Sequence, residues 1–234
     1  DPIILFYRLI SKIPHAFTYV WFHPEMGMWA GASPEKLVSV QKADFHTMAL
    51  AGTQKHVKGA EVIWSDKEKE EQQIVTDQIC VLLDSLALSI GEPYTKRAKN
   101  LLHICTDIKG QLPEGLNIDF LVKKLHPTSA VCGTPVGIAK RFINNHEGYD
   151  RKFYTGYLGE LNMPGLQSDK GESDSLQNQQ SQLYVNLRCM EIKTGGELPE
   201  VNLFVGGGIT AASDPLSEWE ETVEKSMVMK SILS

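Results

Sequence analysis

The sequence predicts an α+β fold built on antiparallel sheet, and three observations carry this prediction. Short β-rich runs are interrupted by helical patterns at irregular intervals, which disfavours the regular strand–helix–strand order of a doubly wound sheet. Residues 16–32 contain two β-rich runs separated by a turn at Gly27, which is the pattern of a hairpin. Neither an internal repeat nor a clear linker divides the chain. We therefore predict one domain.

The first 60 residues predict one helix followed by short strands. Apolar residues recur at helical spacing over residues 3–12, and Ile13-Pro14 ends this helix. After the hairpin, a turn at 31–35 leads to strands at 36–40 and 45–50, the second of which ends at 51–53.

The longest helical pattern covers residues 61–88. Its charged section runs from Asp66 to Glu71, and Glu71 falls where this section meets the apolar one. The positions predicted to be buried are Ile74, Ile79, Val81, Leu82 and Leu86.

The rest of the chain alternates strands and shorter helices. Strands are predicted at 101–108, 153–161 and 183–192, and helices at 120–125 and 135–145. Residues 168–181 are rich in Ser, Gln, Asp and Gly and predict a flexible hairpin loop.

Residues 204–225 combine several groups that could bind an anion and a metal. Three glycines (206–208) follow an apolar run, and a helix then begins at Ser213-Asp214-Pro215. Exposed backbone N–H groups and a helix N-terminus favour an anion. Glu218 and Glu221 lie on one helix face, with Lys225 one turn further. Such a pair is often only a solvated helix face, and the glycines lack a phosphate-loop pattern, so both interpretations stay open.

Composition excludes several classes of protein. The chain is 42% hydrophobic and 22% charged, as in ordinary globular proteins. A net charge of −6 without long Lys/Arg runs disfavours nucleic acid or an anionic membrane as the main partner. No apolar stretch is long enough to span a bilayer, and no secretory signal is evident.

The cysteines and the first residue also carry information. The four cysteines are scattered without a C-x-x-C motif, which predicts free thiols in a reducing cytoplasm rather than a zinc site or disulfides. The sequence begins at Asp1 and enters a helix at once, so we interpret it as a chain entered partway through.

Four segments, read together, resemble the chorismate-utilising enzymes, a family that includes isochorismate, anthranilate, salicylate and aminodeoxychorismate synthases. Their order from residue 31 to 225 is specific, and the resemblance covers nearly the whole chain and is strongest to isochorismate synthases. The segments are GASPE (31–35), LAGT (50–53), LHPT running to GTP (125–135), and NLRC (186–189) together with residues 204–225.

The resemblance implies a fold of two large, mostly antiparallel sheets packed as a sandwich with helices outside. It also implies a Mg²⁺-dependent site for chorismate and a monomer. By motif position, Glu35 matches the general acid that protonates the departing C4 hydroxyl. Glu71 and Glu221 match Mg²⁺ ligands, and Glu218 matches a further carboxylate that reaches the metal directly or through water. Without the family context, Glu35 would be interpreted as a capping or solvated residue.

The resemblance implies further substrate-binding positions. Arg188 matches the residue that clamps the enolpyruvyl carboxylate, a role that suits a guanidinium fork. Residues matched to the same carboxylate are Lys225, Tyr154 and the backbone N–H groups of Gly206 and Gly208. Residues matched to the rest of the pocket are Gly52 and Thr53 in its wall, Ala130, and His126 near the C4 hydroxyl. A structural role for His126 is an equal alternative.

The motifs favour water addition at C2 of chorismate. Aminodeoxychorismate synthases resemble a variant with Lys where this chain has Ala51, and salicylate synthases tend to carry Thr where it has Ala130. Anthranilate-type amination stays an alternative. The sequence leaves open whether isochorismate would feed menaquinone or a siderophore.

No residue of the chain matches the lysine that serves the family as general base. Lys12 and Lys36 lie outside the expected motif. We therefore expect the sequence to be the C-terminal portion of one chorismate-binding catalytic domain, with the N-terminal part missing and little turnover by itself. A binding module without turnover is the alternative.

Overall fold

The computed structural model describes residues 1–98, 101–164, 179–193, 196 and 198–233. These residues contain six helices and eleven strands, joined by turns and loops. The helices are α1 Pro2–Lys12, α2 Asp66–Leu82, α3 Ile118–Leu125, α4 Ser129–Cys132, α5 Val136–His146 and α6 Pro215–Leu233. The strands are β1 Phe17–His23, β2 Gly27–Ser33, β3 Lys36–Gln41, β4 Asp44–Lys55, β5 Leu88–Ile90, β6 Tyr94–Ala98, β7 Leu101–Gln111, β8 Tyr157–Pro164, β9 Gln179–Val185, β10 Cys189–Lys193 and β11 Glu200–Phe204.

The strands form two sheets, one in each of two compact units. Unit 1 contains residues 1–35, 149–156 and 185–234, and its sheet has the order β1-β2-β10-β11. Unit 2 contains residues 36–148 and 157–184, and its sheet has the order β5-β7-β4-β3-β9-β8, with β6 also pairing to β7. The α+β class and the antiparallel pairing are as predicted.

In unit 1, α1 and α6 contribute to one apolar cluster with the sheet. Leu9, Met190, Met229 and Ile232 are fully buried in this cluster. At neighbouring positions of the unit, aromatic rings form a second packed group. Trp29 stacks on Phe204 with ring centroids 5.3 Å apart.

In unit 2, α2 packs on β4 and β7 and begins later than predicted. The predicted helix at 61–88 is 66–82, because Ser65 and Glu68 form a capping box that fixes its start. Its buried face carries Gln72, Val75, Thr76 and Ile79.

Two of the predicted buried positions in this helix were wrong. Ile74 is 42% exposed and Val81 is 71% exposed. Gln72 is buried instead because its amide donates to Thr76 Oγ1 at 2.8 Å and to Thr106 Oγ1 at 2.7 Å, so a polar residue takes a core position.

The predicted strands around Tyr154 and Arg188 also need correction. Residues 152–155 form a turn, and the strand begins only at Tyr157. The single strand predicted at 183–192 is two strands: β9 belongs to the sheet of unit 2 and β10 to the sheet of unit 1. Arg188 lies between them in the left-handed region, with φ +47°.

Other predictions have mixed outcomes. Residues 168–178 of the predicted loop lie outside the described residues, and 179–181 begin β9. The four cysteines are free, as predicted. Among the residues that the structure describes, none of the helices has the length and apolar character that crossing a bilayer requires.

Candidate active site

The register of the unit 1 sheet brings three sequence motifs to one of its ends. Cys189 pairs with Gly31 of β2 and with Phe204 of β11. The residues next beyond these positions are Ala32, Arg188 and the glycines 206–208. The Ala32 N–H donates to the Arg188 carbonyl at 3.2 Å, which fixes this junction. Strand pairing therefore gathers the GASPE, NLRC and glycine segments.

Arg188 and Glu35 form the buried, charged part of this end. Their relative exposures are 9% and 6%. Burial lowers the pKa of the Arg188 guanidinium to about 10, with the Glu35 carboxylate acting in the opposite direction, so Arg188 is a cation at neutral pH. Its Nη1 is buried and has no hydrogen-bond partner within the described residues. A desolvated guanidinium with a spare donor is suited to bind a carboxylate.

Tyr154 and the glycine segment lie against each other. Tyr154 is buried and stacks on Phe204, with ring centroids 5.6 Å apart. A Cβ on Gly206 would lie 2.6 Å from Tyr154 Oη, which is closer than any real contact. Glycine is therefore required at 206 to let the tyrosine hydroxyl approach the backbone.

The start of α6 presents two carboxylates to the same segment. Asp214 caps the helix by accepting from the Ser217 N–H at 2.9 Å. Glu218 is buried and accepts from the Ser213 hydroxyl at 2.5 Å. A Cβ on Gly207 would lie 3.6 Å from Glu221 Oε1 and 3.7 Å from Glu218 Oε2. Oxygens of both carboxylates thus border the space that a side chain at 207 would fill.

Lys225 completes this group. Its Nζ lies 2.5 Å from Glu221 Oε1 and donates to the Gly206 carbonyl at 3.1 Å. All eight predicted site residues of unit 1 therefore lie at, or next to, this end of the sheet. They are Glu35, Tyr154, Arg188, Gly206, Gly208, Glu218, Glu221 and Lys225.

Two of the segments that carry predicted site residues in unit 2 contact α2. Gly52 is a bulge position of β4 with φ +69°, and a Cβ there would lie 3.0 Å from Glu68 Cβ. Further along the helix, Gln78 Oε1 accepts from the Ser129 N–H at 3.0 Å. Glu71 is three residues after Glu68 and seven residues before Gln78, so all three share a helix face. Along α2, Glu71 therefore lies between the residue that contacts LAGT and the residue that contacts HPTSA.

Two further positions in unit 2 have observed contacts. Thr53 Oγ1 lies 3.3 Å from His103 Nδ1, which also lies 3.1 Å from the Gly52 carbonyl. The His126 ring packs edge-on against Tyr157 with centroids 5.1 Å apart. Ala130 lies in the short helix α4. These contacts fit a structural role as well as a pocket wall, so the substrate roles of these residues stay predictions.

The metal assignment also stays a prediction. Glu71 belongs to unit 2, whereas Glu218 and Glu221 belong to unit 1. Among the described residues, no group of three or more His, Cys, Asp or Glu side chains could hold a metal ion. The carboxylate oxygens around Gly207 nevertheless match the hard donors that Mg²⁺ prefers.

Sequence reasoning missed three residues that organise these segments. Asn186 ties the turn that carries Tyr154 to the segment that carries Arg188. Glu68 and Gln78 connect α2 to the LAGT and HPTSA segments. The helical spacing of Glu68, Glu71 and Gln78 was a usable signal, but nothing in the sequence marked Asn186, since its role depends on long-range contacts.

Comparison with known proteins identifies the family of this chain. Residues 1–234 match the model of a family described as chorismate binding enzyme, and the chain belongs to that family. The chain is 30% identical over 213 residues to the isochorismate synthase MenF of Escherichia coli K12, covering 87% of this chain and 45% of the relative. It is 34% identical over 215 residues to the salicylate biosynthesis isochorismate synthase of Pseudomonas aeruginosa, covering 87% of this chain and 41% of the relative.

Solved structures give the same result for the fold. The menaquinone-specific isochorismate synthase MenF from Escherichia coli superposes with a TM-score of 0.82 at 26% identity, covering 100% of this chain and 52% of that one. Anthranilate synthase component I from Streptococcus pneumoniae shares the fold, with a TM-score of 0.77 at 22% identity and coverage of 98% of this chain and 49% of that one. The chain spans about half the length of the relatives it matches.

Proposed function

We propose that this chain carries the chorismate-binding and proton-donating groups of an isochorismate synthase. In that reaction, water adds at C2 of chorismate while the C4 hydroxyl departs. The observation that carries the proposal is the buried guanidinium of Arg188, with an unused donor, beside the buried Glu35. The isochorismate synthases among the relatives support the choice of reaction.

Each residue has a defined task in this proposal. Arg188 binds the enolpyruvyl carboxylate through its free donor, and its burial excludes water that would compete for that bond. Lys225 and the N–H groups of the glycine segment add positive potential. Glu35 supplies the proton that the C4 hydroxyl needs in order to leave as water.

Mg²⁺ is the proposed cofactor, held by Glu71, Glu218 and Glu221. When bound, the ion would neutralise the ring carboxylate of chorismate and fix its position. In unit 1, the oxygens of Glu218 and Glu221 close to Gly207 support this assignment. Lys225 Nζ, which pairs with Glu221, would orient that carboxylate.

The first experiment titrates the 234-residue chain with chorismate, with Mg²⁺ or with EDTA, and measures binding by calorimetry. We expect saturable binding that depends on Mg²⁺. Glu35→Gln is expected to retain this binding because Arg188 and Lys225, which are proposed to bind the substrate carboxylate, are unchanged. Failure of the folded chain to bind chorismate up to millimolar concentration would overturn the proposal.

The second experiment identifies the reaction by chromatography and mass spectrometry of the products. Because no residue matches the family's general base, we expect little turnover alone and more isochorismate when methylamine is added as an external base. Glu35→Gln should form none under either condition. Anthranilate in the presence of ammonia, or salicylate, would contradict water addition as the reaction.

The biological setting belongs to the same proposal. One relative is named as menaquinone-specific and another for salicylate biosynthesis. Isochorismate from this chain would feed either menaquinone or a siderophore. We place the protein in the cytoplasm because its free thiols suit a reducing compartment. That it is a monomer is proposed from the family resemblance alone.

A further inference from the structure

We propose that Asn186 is a positioning residue that sets the affinity for the substrate carboxylate by holding Tyr154 in place. This inference rests on the proposed function, since it concerns the same chorismate site. Asn186 is 3% exposed and lies two residues before Arg188.

The polar groups of Asn186 are engaged on two sides. Its Nδ2 donates to the Phe153 carbonyl at 2.8 Å, and its backbone N–H donates to the Gly156 carbonyl at 2.7 Å. Its carbonyl accepts from the Thr155 N–H at 3.0 Å. Three hydrogen bonds thus join Asn186 to the four-residue segment that contains Tyr154. On the other side, Asn186 Oδ1 accepts from the Tyr19 hydroxyl at 2.6 Å.

The turn at 152–155, which contains Tyr154, has two residues in an unfavourable backbone conformation. Thr155 has φ +63° and Lys152 has φ +49°, and a β-branched residue such as Thr is rare in the left-handed region. Such conformations persist only when their surroundings fix them. The bonds from Asn186 lie on both sides of Tyr154 and supply this restraint.

The consequence for the site follows from the close approach at Gly206. Tyr154 Oη occupies space within 2.6 Å of a Cβ position at 206, so a small movement of the turn changes the contact with the glycine segment. The same asparagine restrains the chain just before Arg188. Asn186 therefore restrains both of the segments that carry groups assigned to the same carboxylate.

The test uses Asn186→Asp, which keeps the size and the acceptor for Tyr19 but replaces the Nδ2 donor. At pH 8 the new carboxylate would face the Phe153 carbonyl, and we expect chorismate binding to weaken about tenfold. On acidification the protonated carboxyl can donate to that carbonyl again. The ratio of variant to wild-type dissociation constants should therefore return towards one by pH 5, with Mg²⁺ saturating throughout.

Tyr19→Phe is the matched control, because it removes the bond to Oδ1 but leaves Nδ2 and Phe153 untouched. Its affinity should stay within about threefold of wild type, with a ratio that does not change with pH. Asn186→Ala serves if the aspartate variant does not fold, and it should weaken binding at every pH. Wild-type affinity in folded Asn186→Asp at pH 8, or in folded Asn186→Ala, would overturn the proposal.

Hydrogen exchange separates this inference from the proposed function. In the absence of ligand, the Thr155 amide should exchange faster in Asn186→Asp at pH 8 than in wild type, and Tyr19→Phe should leave it unchanged. If wild type binds no chorismate, the proposed function fails and the exchange result still judges Asn186. Unchanged exchange at Thr155 in the aspartate variant would refute the positioning role.

Discussion

Arg188 shows at the scale of one residue how position and chemistry combine. It lies in the left-handed region between strands of two different sheets, buried, and with one donor unused. The sequence predicts that Arg188 lies on the surface of a strand, because the alternation of apolar and polar residues continues through 183–192. The change of strand at 186–188 instead leaves its side chain buried, with one donor unused.

Replacing this guanidinium tests that role. We expect Arg188→Lys to weaken chorismate binding about 10- to 100-fold, because the charge remains but the forked donors are lost. Calorimetric titration measures the change, and thermal unfolding checks that the variant is folded. Arg141→Ala, at an exposed position of α5, should bind as wild type. Equal affinities in Arg188→Lys and wild type would remove Arg188 from the site.

Two adjacent glycines give a sharper residue-scale prediction. A Cβ at 206 would collide with Tyr154 Oη at 2.6 Å, whereas a Cβ at 207 would make ordinary contacts at 3.6 and 3.7 Å. We expect Gly206→Ala to weaken chorismate binding at every Mg²⁺ concentration by displacing Tyr154. Gly207→Ala should instead raise the Mg²⁺ concentration needed for binding, because its methyl group fills the space between the carboxylates.

Titration of chorismate binding against Mg²⁺ distinguishes the two alanine variants. Gly207→Ala should keep the free energy of unfolding within about 0.5 kcal/mol of wild type, since no close contact is created. If Gly207→Ala and wild type need the same Mg²⁺ concentration, the metal does not lie between Glu218 and Glu221.

At the scale of elements, the sequence predicted the parts whose patterns are local. The first helix, the β1–β2 hairpin and the last helix with its cap at 213–215 occur within a few residues of their predicted positions. The strand at 183–192 and the buried face of α2 were not predicted correctly, because each depends on contacts with residues distant in the sequence. Alternation cannot reveal a change of sheet, and hydropathy cannot reveal a glutamine that is satisfied by Thr76 and Thr106.

An ion pair with a buried carboxylate in unit 1 gives a prediction about stability. Lys152 pairs with Glu191, whose side chain is 6% exposed. Burial alone raises the pKa of Glu191, but hydrogen bonds from Lys152 and Asn202 outweigh it and hold the pKa below its ordinary value. This carboxylate therefore contributes stability above the ordinary carboxyl pKa of about 4.3, and the contribution is lost as pH falls through the lower folded value.

We expect Lys152→Met to lower the free energy of unfolding by about 1–2 kcal/mol at pH 7, a range reduced because the lysine side chain is 39% exposed. The difference from wild type should shrink below about pH 4. Urea unfolding at several pH values measures it, and Lys230→Met at an exposed position is the control. A difference that is constant with pH would show that the pair does not determine the effect.

At the scale of the whole molecule, the proposed Mg²⁺ is the assignment that most needs a test, because its predicted ligands are far apart in the sequence. If Glu71 and Glu221 serve one Mg²⁺, either Gln variant should weaken Mg²⁺-dependent chorismate binding about tenfold or more. The double variant should then bind chorismate only slightly more weakly than the single variant with the larger loss, because the ion is already lost. Titration of chorismate binding with Mg²⁺ provides the comparison.

Neighbouring glutamates provide matched controls for this cycle. Glu70→Gln and Glu220→Gln change the same charges at exposed positions one residue away and should leave the Mg²⁺ requirement unchanged. Losses that simply add in the Glu71/Glu221 double variant would mean that the two carboxylates act independently.

The stacked rings of unit 1 give the protein an intrinsic optical signal. Trp29 is fully buried and touches Phe204, which in turn stacks on Tyr154 beside the glycine segment. The indole of Trp219, by contrast, is 66% exposed next to Glu218. Emission from the sheltered indole should therefore lie at shorter wavelength, so that occupancy near Tyr154 can be followed by fluorescence without any added dye.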